Sequence, residues 1–224
     1  MSRASAQPAS KDDWSIDEVD HLYLDHVSWE LYEHLLRESG HRRLRMTYDN
    51  GELEIISPLW EHETPSRILC YFITILAEET NVPLIGGGST TFRWRGKKKG
   101  LEPDECFYIK SQPLIRGKKR ISIPKDPPPD LVVEVDITRR SIPRLPIYAT
   151  LGVPEIWRHD GKRVQCLQLT KAGDYREVDN SLSFPMLKPA DLARFIRQAE
   201  TTDLVAAGKA FRKWVRKHAW AKPS

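Results

Sequence analysis

Residues 131–135 read LVVEV, four aliphatic side chains around one glutamate, with Asp130 before them and Asp136 after. A near-continuous run of Val and Leu is the mark of a strand covered on both faces, which requires packed layers above and below it. The charges make the stretch unusual. Side chains alternate along a strand, so Asp130, Glu134 and Asp136 fall on one face, and an unpaired carboxylate inside an apolar run is expensive. Rising ~3.3 Å per residue, such a strand separates Asp130 from Glu134 by ~13 Å and Glu134 from Asp136 by ~7 Å. Glu134 and Asp136 are thus near enough to act together, whereas Asp130 belongs to the start of the strand.

The rest of the chain supplies the layers. Ser28 is a candidate N-cap for a helix through WELYEHLLRES, with Glu30 in its first turn and Gly40 at its stop. Asn50-Gly51 between alternating apolar and polar residues predicts a hairpin with strands near 43–48 and 52–57, in which Glu52 and Glu54 share a face. Thr64-Pro65 opens a long helix, preceded by the polar turn WEHE. After it, STTFRWRG and EPDECFYI are predicted strands joined by the turn KKKG. Beyond the central strand come a short helix ending at Gly152, a hairpin about Asp160-Gly161, and closing helices over 190–198 and 201–218. Strands and helices mix without a repeating period. The expectation is an α/β fold, a central mixed β-sheet flanked by helices, forming one domain over 21–220 behind a disordered polar tail, 1–20.

Composition narrows the function. The 224 residues carry 35 basic and 31 acidic side chains, net +4, with the basic ones gathered in clusters. Arg93, Arg95, Lys97, Lys98, Lys99, Lys118 and Lys119, with the stretch 212–217, are candidate contacts to a polyanion backbone; the alternative is a plain solvated face. Three widely spaced cysteines argue against a disulfide framework or zinc site. No apolar run approaches the ~20 residues of a membrane span and no signal-peptide core is present, so a soluble, cytoplasmic protein without a membrane partner is expected.

Asp104, at the start of one predicted strand, and Glu134 and Asp136 on another can converge on one point. Three hard oxygen donors suit Mg²⁺ or Mn²⁺, and a metal held there polarises a phosphate and acidifies a bound water. The competing reading is that each acid ends its strand in solvent or pairs with an arginine.

Taken together, NGELEIISPLWEHE, EPDECFYI, PPDLVVEVDITRRS, IYATLGVPEIW and FRKWVRKH resemble the Uma-two family of restriction endonucleases, assigned to the PD-(D/E)xK nuclease superfamily. The resemblance covers residues 28–218. It implies a restriction-endonuclease-like core and a metal-dependent endonuclease acting on DNA, in which two copies often pair to cut both strands. Asp104 matches the first acid of the motif, Glu134 the second, and Val135 offers its carbonyl. Asp136 stands where the superfamily places lysine. Arg144, four residues before Tyr148, matches the position from which relatives supply a basic group, yet a guanidinium is a poor proton acceptor. Decay to a catalytically inactive nucleic-acid-binding or protein-interaction module is therefore the alternative. His62 matches a family histidine and is a candidate phosphate contact or proton carrier, or merely a cap. Glu52 is a possible additional acid, or a solvent-facing strand residue. Ser141, Tyr148 and Trp157 read as scaffold.

Overall fold

Asn50 and Gly51 take φ of 50° and 110°, the left-handed turn geometry that Asn-Gly tolerates, and join strands β2 (Arg45–Asp49) and β3 (Glu52–Ile56). The structure, a computed structural model, describes residues 21–40, 44–57, 60–137 and 141–219, with the backbone alone at 60–62. The disordered tail expected over 1–20 lies outside the described residues.

The hairpin does not join the central sheet. It forms an antiparallel sheet of its own with β1 (His21–Leu24), β5 (Phe92–Trp94) and β6 (Lys99–Leu101), in the order β1-β3-β2-β6-β5. Helix α1 (Trp29–Ser39), capped by the Ser28 side chain on the Leu31 N–H, packs on it through Trp29 and Tyr32. Gly100 is required there, because a Cβ would run into the Tyr32 hydroxyl.

The second sheet is mixed. Strand β8 (Leu131–Val135) is buried at every position, as its composition demands, and lies antiparallel to β7 (Glu105–Tyr108) and parallel to β9 (Glu155–His159). Strands β4 (Ile85–Gly86), β10 (Val164–Leu169) and β11 (Tyr175–Val178) complete the order β11-β10-β9-β8-β7-β4. Leu131, Val133 and Val135 face one way, against α2 (Trp60–Thr80), α5 (Pro189–Thr201) and α6 (Leu204–His218). Val132 faces the other way, with Ile156, α4 (Leu145–Leu151) and the side chains of Phe92 and Leu101 from the first sheet. Helix α3 (Gln112–Ile115) adds Ile115 to that side.

Two differences from the sequence-based expectation matter for the site. EPDECFYI is not one strand. β6 ends at Leu101 in the first sheet and β7 begins at Glu105 in the second, with Pro103, which has no N–H for a ladder, in the break. Asp104 is thereby set where the sheets meet. The long helix begins at Trp60, before Thr64-Pro65, so Pro65 sits inside it and forgoes one intrahelical bond.

Candidate active site at the junction of the sheets

The register Glu105↔Val133, continued by one residue, sets Asp104 beside Glu134. Asp104 is 4 % exposed and Glu134 5 %. The backbone N–H of Val135 donates to Asp104 Oδ2 at 2.6 Å, and the Arg45 guanidinium makes an ion pair with Oδ1. Arg45 also donates to Glu63 Oε1 of α2 at 2.9 Å. Glu134 is held from the opposite direction. Arg144 donates to its Oε1 through Nε (3.0 Å) and a terminal nitrogen (2.7 Å), and the Tyr148 hydroxyl donates to the same oxygen.

Arg144 ties the layers together. Beyond Glu134 it donates to Thr47 Oγ1 on β2 (3.1 Å), to the Glu102 carbonyl between β6 and β7 (2.5 Å), and to the Tyr148 oxygen on α4 (3.1 Å). Burial works to lower its pKa, but Glu134 and Tyr148 outweigh that and raise it, so the group stays charged. Burial pushes the Tyr148 hydroxyl well above the ordinary tyrosine range, which keeps it a proton donor to Glu134. Glu102, buried behind Arg144, is likewise raised by burial, against the opposing effect of hydrogen bonds from Thr91 and Met46.

Asp136 lies just past the end of β8 and accepts from Arg158 Nε (3.0 Å) and a terminal nitrogen (2.5 Å). Together Glu134, Arg144, Asp136 and Arg158 border a cleft of about 840 Å³ whose walls include Ile142 and Pro146. Three carboxylates therefore gather around one cleft, each with its own guanidinium. Among the described residues, no group of three or more His, Cys, Asp or Glu side chains is arranged to hold a metal ion. The oxygen donors are of the right kind for Mg²⁺ or Mn²⁺, but in this arrangement they do not fit one, because Asp104 Oδ1 and Glu134 Oε1 are taken by arginines.

The remaining candidates lie elsewhere. Glu52 is exposed and accepts from the Tyr23 hydroxyl at 2.5 Å. His62 falls in the first turn of α2, and its side chain lies outside the described residues. Arg93 faces Glu33 at 3.8 Å, Arg95 meets Glu30 (2.5 Å) and Glu33 (3.3 Å), Lys99 meets Asp49 (2.5 Å), and Lys118 pairs with Asp126. Lys97, 5.6 Å from the Trp94 ring centre, and Lys98 and Lys119 are exposed without an acidic partner among the described residues. The basic helix α6 packs on α2, across the sheet from Glu134, and two of its arginines, Arg212 and Arg216, bind Glu79.

Sequence reasoning passed over Glu54. It is fully buried on β3 opposite Thr47, with Oε1 accepting from the Ser141 N–H at 2.5 Å and lying 2.9 Å from His21 Nε2. Its Oε2 is buried with no hydrogen-bond partner among the described residues. Ser141 Oγ lies 3.3 Å from the same His21 nitrogen, so this is not a serine nucleophile relay, which needs the acid on the other ring nitrogen. Arg45 was also passed over, since an arginine at a strand start reads as surface. All three cysteines are free, and burial raises the thiol of Cys70 to about 11 and that of Cys106 to about 12, which suits a structural role.

Comparison with known proteins decides the family. The family Uma2, described as "Putative restriction endonuclease", matches residues 29–198. The chain belongs to that family. A solved structure described as "a putative nuclease belonging to DUF820 from Anabaena variabilis" is similar at 15% identity and a TM-score of 0.44, covering 67% of this chain and 90% of that one. Among curated proteins none matches. Like the rest of the Uma2 family, this chain stands as a nuclease-type protein, with a mixed α/β architecture of two sheets flanked by helices. No helix among the described residues is long and apolar enough to cross a membrane.

Proposed function

We propose that this chain is an endonuclease that hydrolyses phosphodiester bonds of DNA in the cleft beside Glu134, with Mg²⁺ or Mn²⁺ as its required cation. The observation that carries the reading is the pairing of Asp104 with Glu134 at adjacent strand ends, in a family of nuclease type. Burying two acids side by side costs several kcal/mol per ion unless they are compensated, and a scaffold would more cheaply use apolar residues there.

The other groups take roles their chemistry allows. Arg144 holds Glu134 in one rotamer and offers fixed positive charge, but cannot accept a proton. Asp136, the least buried of the three acids, is the candidate acceptor of the water proton. Arg158 and the unpaired Lys97, Lys98 and Lys119 would hold phosphates without reading bases. A homodimer would let two such clefts act on two strands.

A second reading has its own support: the pairing of all three acids with arginines favours a catalytically silent nucleic-acid-binding module. Incubating supercoiled plasmid with the protein and Mg²⁺ or Mn²⁺ separates the two. The endonuclease reading expects nicked or linear product, lost by roughly a hundredfold or more in Asp104→Asn and in Glu134→Gln. Cleavage that survives both substitutions overturns the site; salt-sensitive DNA binding without cleavage leaves the silent module.

A further inference from the structure

We infer that Arg45 is the built-in counter-ion that closes the acidic site, and that it must move from Asp104 to Glu63 before a divalent cation can enter. The inference rests on reading Asp104 and Glu134 as cation-binding acids. Its support is the contrast between the two arginines that fill the site.

Arg144 has nowhere to go. It is 8 % exposed, and its donors are taken by Glu134, Thr47, the Glu102 carbonyl and Tyr148, on four different segments of the chain. Removing it would pull the first sheet, the second sheet and α4 out of register with one another. Arg45 is placed differently. It stands at the first residue of β2, with its guanidinium between Asp104 and Glu63, and the Glu63 side chain is 26% exposed. A second acid already at 2.9 Å gives the guanidinium a partner to keep when it lets go of Asp104.

What Arg45 leaves behind has the right form. Asp104 stays fixed by the Val135 N–H on Oδ2, so its orientation does not depend on the arginine, while Oδ1 is uncovered beside Glu134. A single positive charge would be exchanged for a double one in a pocket of carboxylates, and the site would pass from guanidinium-compensated to open without repacking the core. Until that exchange, the two cations compete for one oxygen. Asp136 and Arg158 lie at the cleft and are not part of the exchange.

Titration of Mn²⁺ into the full-length chain, followed by calorimetry and by the electron paramagnetic resonance of the free ion, tests this without DNA. Arg45→Met is expected to bind one Mn²⁺ about tenfold or more tighter than the unsubstituted chain, a gain abolished by adding Asp104→Asn. A folded Arg45→Met protein that binds Mn²⁺ no more tightly overturns the inference. Should that variant fail to fold, Arg45→Lys decides, because an ammonium cannot bridge both acids as the guanidinium fork does and should give an intermediate gain; affinity equal to the unsubstituted chain overturns the inference there too. Tighter Mn²⁺ binding without any DNA cleavage would leave the role of Arg45 intact and remove the endonuclease reading.

Discussion

Glu134 and Glu155 occupy neighbouring strands, β8 and β9, and both are buried, yet they are held by opposite means. Glu155 is fully buried and surrounded by neutral donors: the Trp157 indole N–H at 2.9 Å, the Ser181 hydroxyl at 2.7 Å, and the backbone N–H groups of Leu182 (2.9 Å) and Ser183 (2.8 Å). Both of its oxygens are satisfied by fixed dipoles, and it pins the 181–183 turn to the sheet. Glu134 is held by a mobile class of partner, a guanidinium and a phenol, at the edge of an open cleft. A carboxylate tied by backbone dipoles cannot exchange its partners without unfolding its neighbours; one tied by side-chain cations can. Burial alone therefore does not mark a functional acid, whereas burial beside exchangeable cations and a cleft does.

The sharpest way to break that contrast is Glu155→Ala. It strands four donors in the interior at once, each worth about 1–3 kcal/mol when left unsatisfied, and the loss of stability should reach about 4 kcal/mol or more by urea denaturation. DNA binding by whatever protein remains folded should be unchanged. A loss under 1 kcal/mol would show that the turn is not anchored by this residue.

Arg144→Met comes next. Removing one member of a buried ion pair leaves an uncompensated charge and typically costs about 3–5 kcal/mol, while replacing both members by apolar groups is often neutral. Arg144→Met combined with Glu134→Leu should therefore be more stable than Arg144→Met alone, and no such recovery is expected at Glu155, whose donors are spread along the backbone. If the double variant is as unstable as the single one, Glu134 and Arg144 are not coupled as described.

The same contrast explains what could be read from the sequence. The hairpin was legible because Asn50-Gly51 is a local signal, and β8 because an unbroken aliphatic run allows few other readings. The Gly152 helix stop was legible for a similar reason, its φ of 82° being a conformation glycine adopts without strain. The division of EPDECFYI between two sheets was not, since Pro103 announces a break but not which sheet each half joins. Arg45 and Glu54 were hidden for a physical reason. Alternation assigns a charged residue to the polar face of its strand, and whether that face meets water or a second layer is decided by segments distant in the chain. For Glu54 these are His21 and Ser141, and for Arg45 they are Glu63 and Asp104. Of the site, Asp104 and Glu134 could be named from their motifs, but their counter-ions could not.

The weakest carboxylate–guanidinium contact gives the smallest prediction. Glu79 on α2 accepts from Arg212 (2.6 Å) and from Arg216 (2.6 and 3.1 Å) on α6, and those arginine side chains are 31% and 66% exposed. Hydrogen bonds from Arg216 first, and then Arg212, hold the Glu79 carboxyl at about 2, below its usual 4.5. The unfolded chain then takes up this proton at a higher pH than the folded one. The stability it contributes is complete above pH 4.5 and is lost as pH falls from 4.5 toward about 2. Because the arginines are in solvent, the contribution is also screened by salt, unlike that of Glu134 beneath Arg144. Comparing melting temperatures of the unsubstituted chain and Glu79→Gln should show a small difference at pH 7 in low salt, a smaller one in 1 M NaCl, and almost none near pH 2. A difference that persists at pH 2, or ignores salt, would place Glu79 with the buried pairs and erase the distinction between exchangeable surface ions and those that define the site.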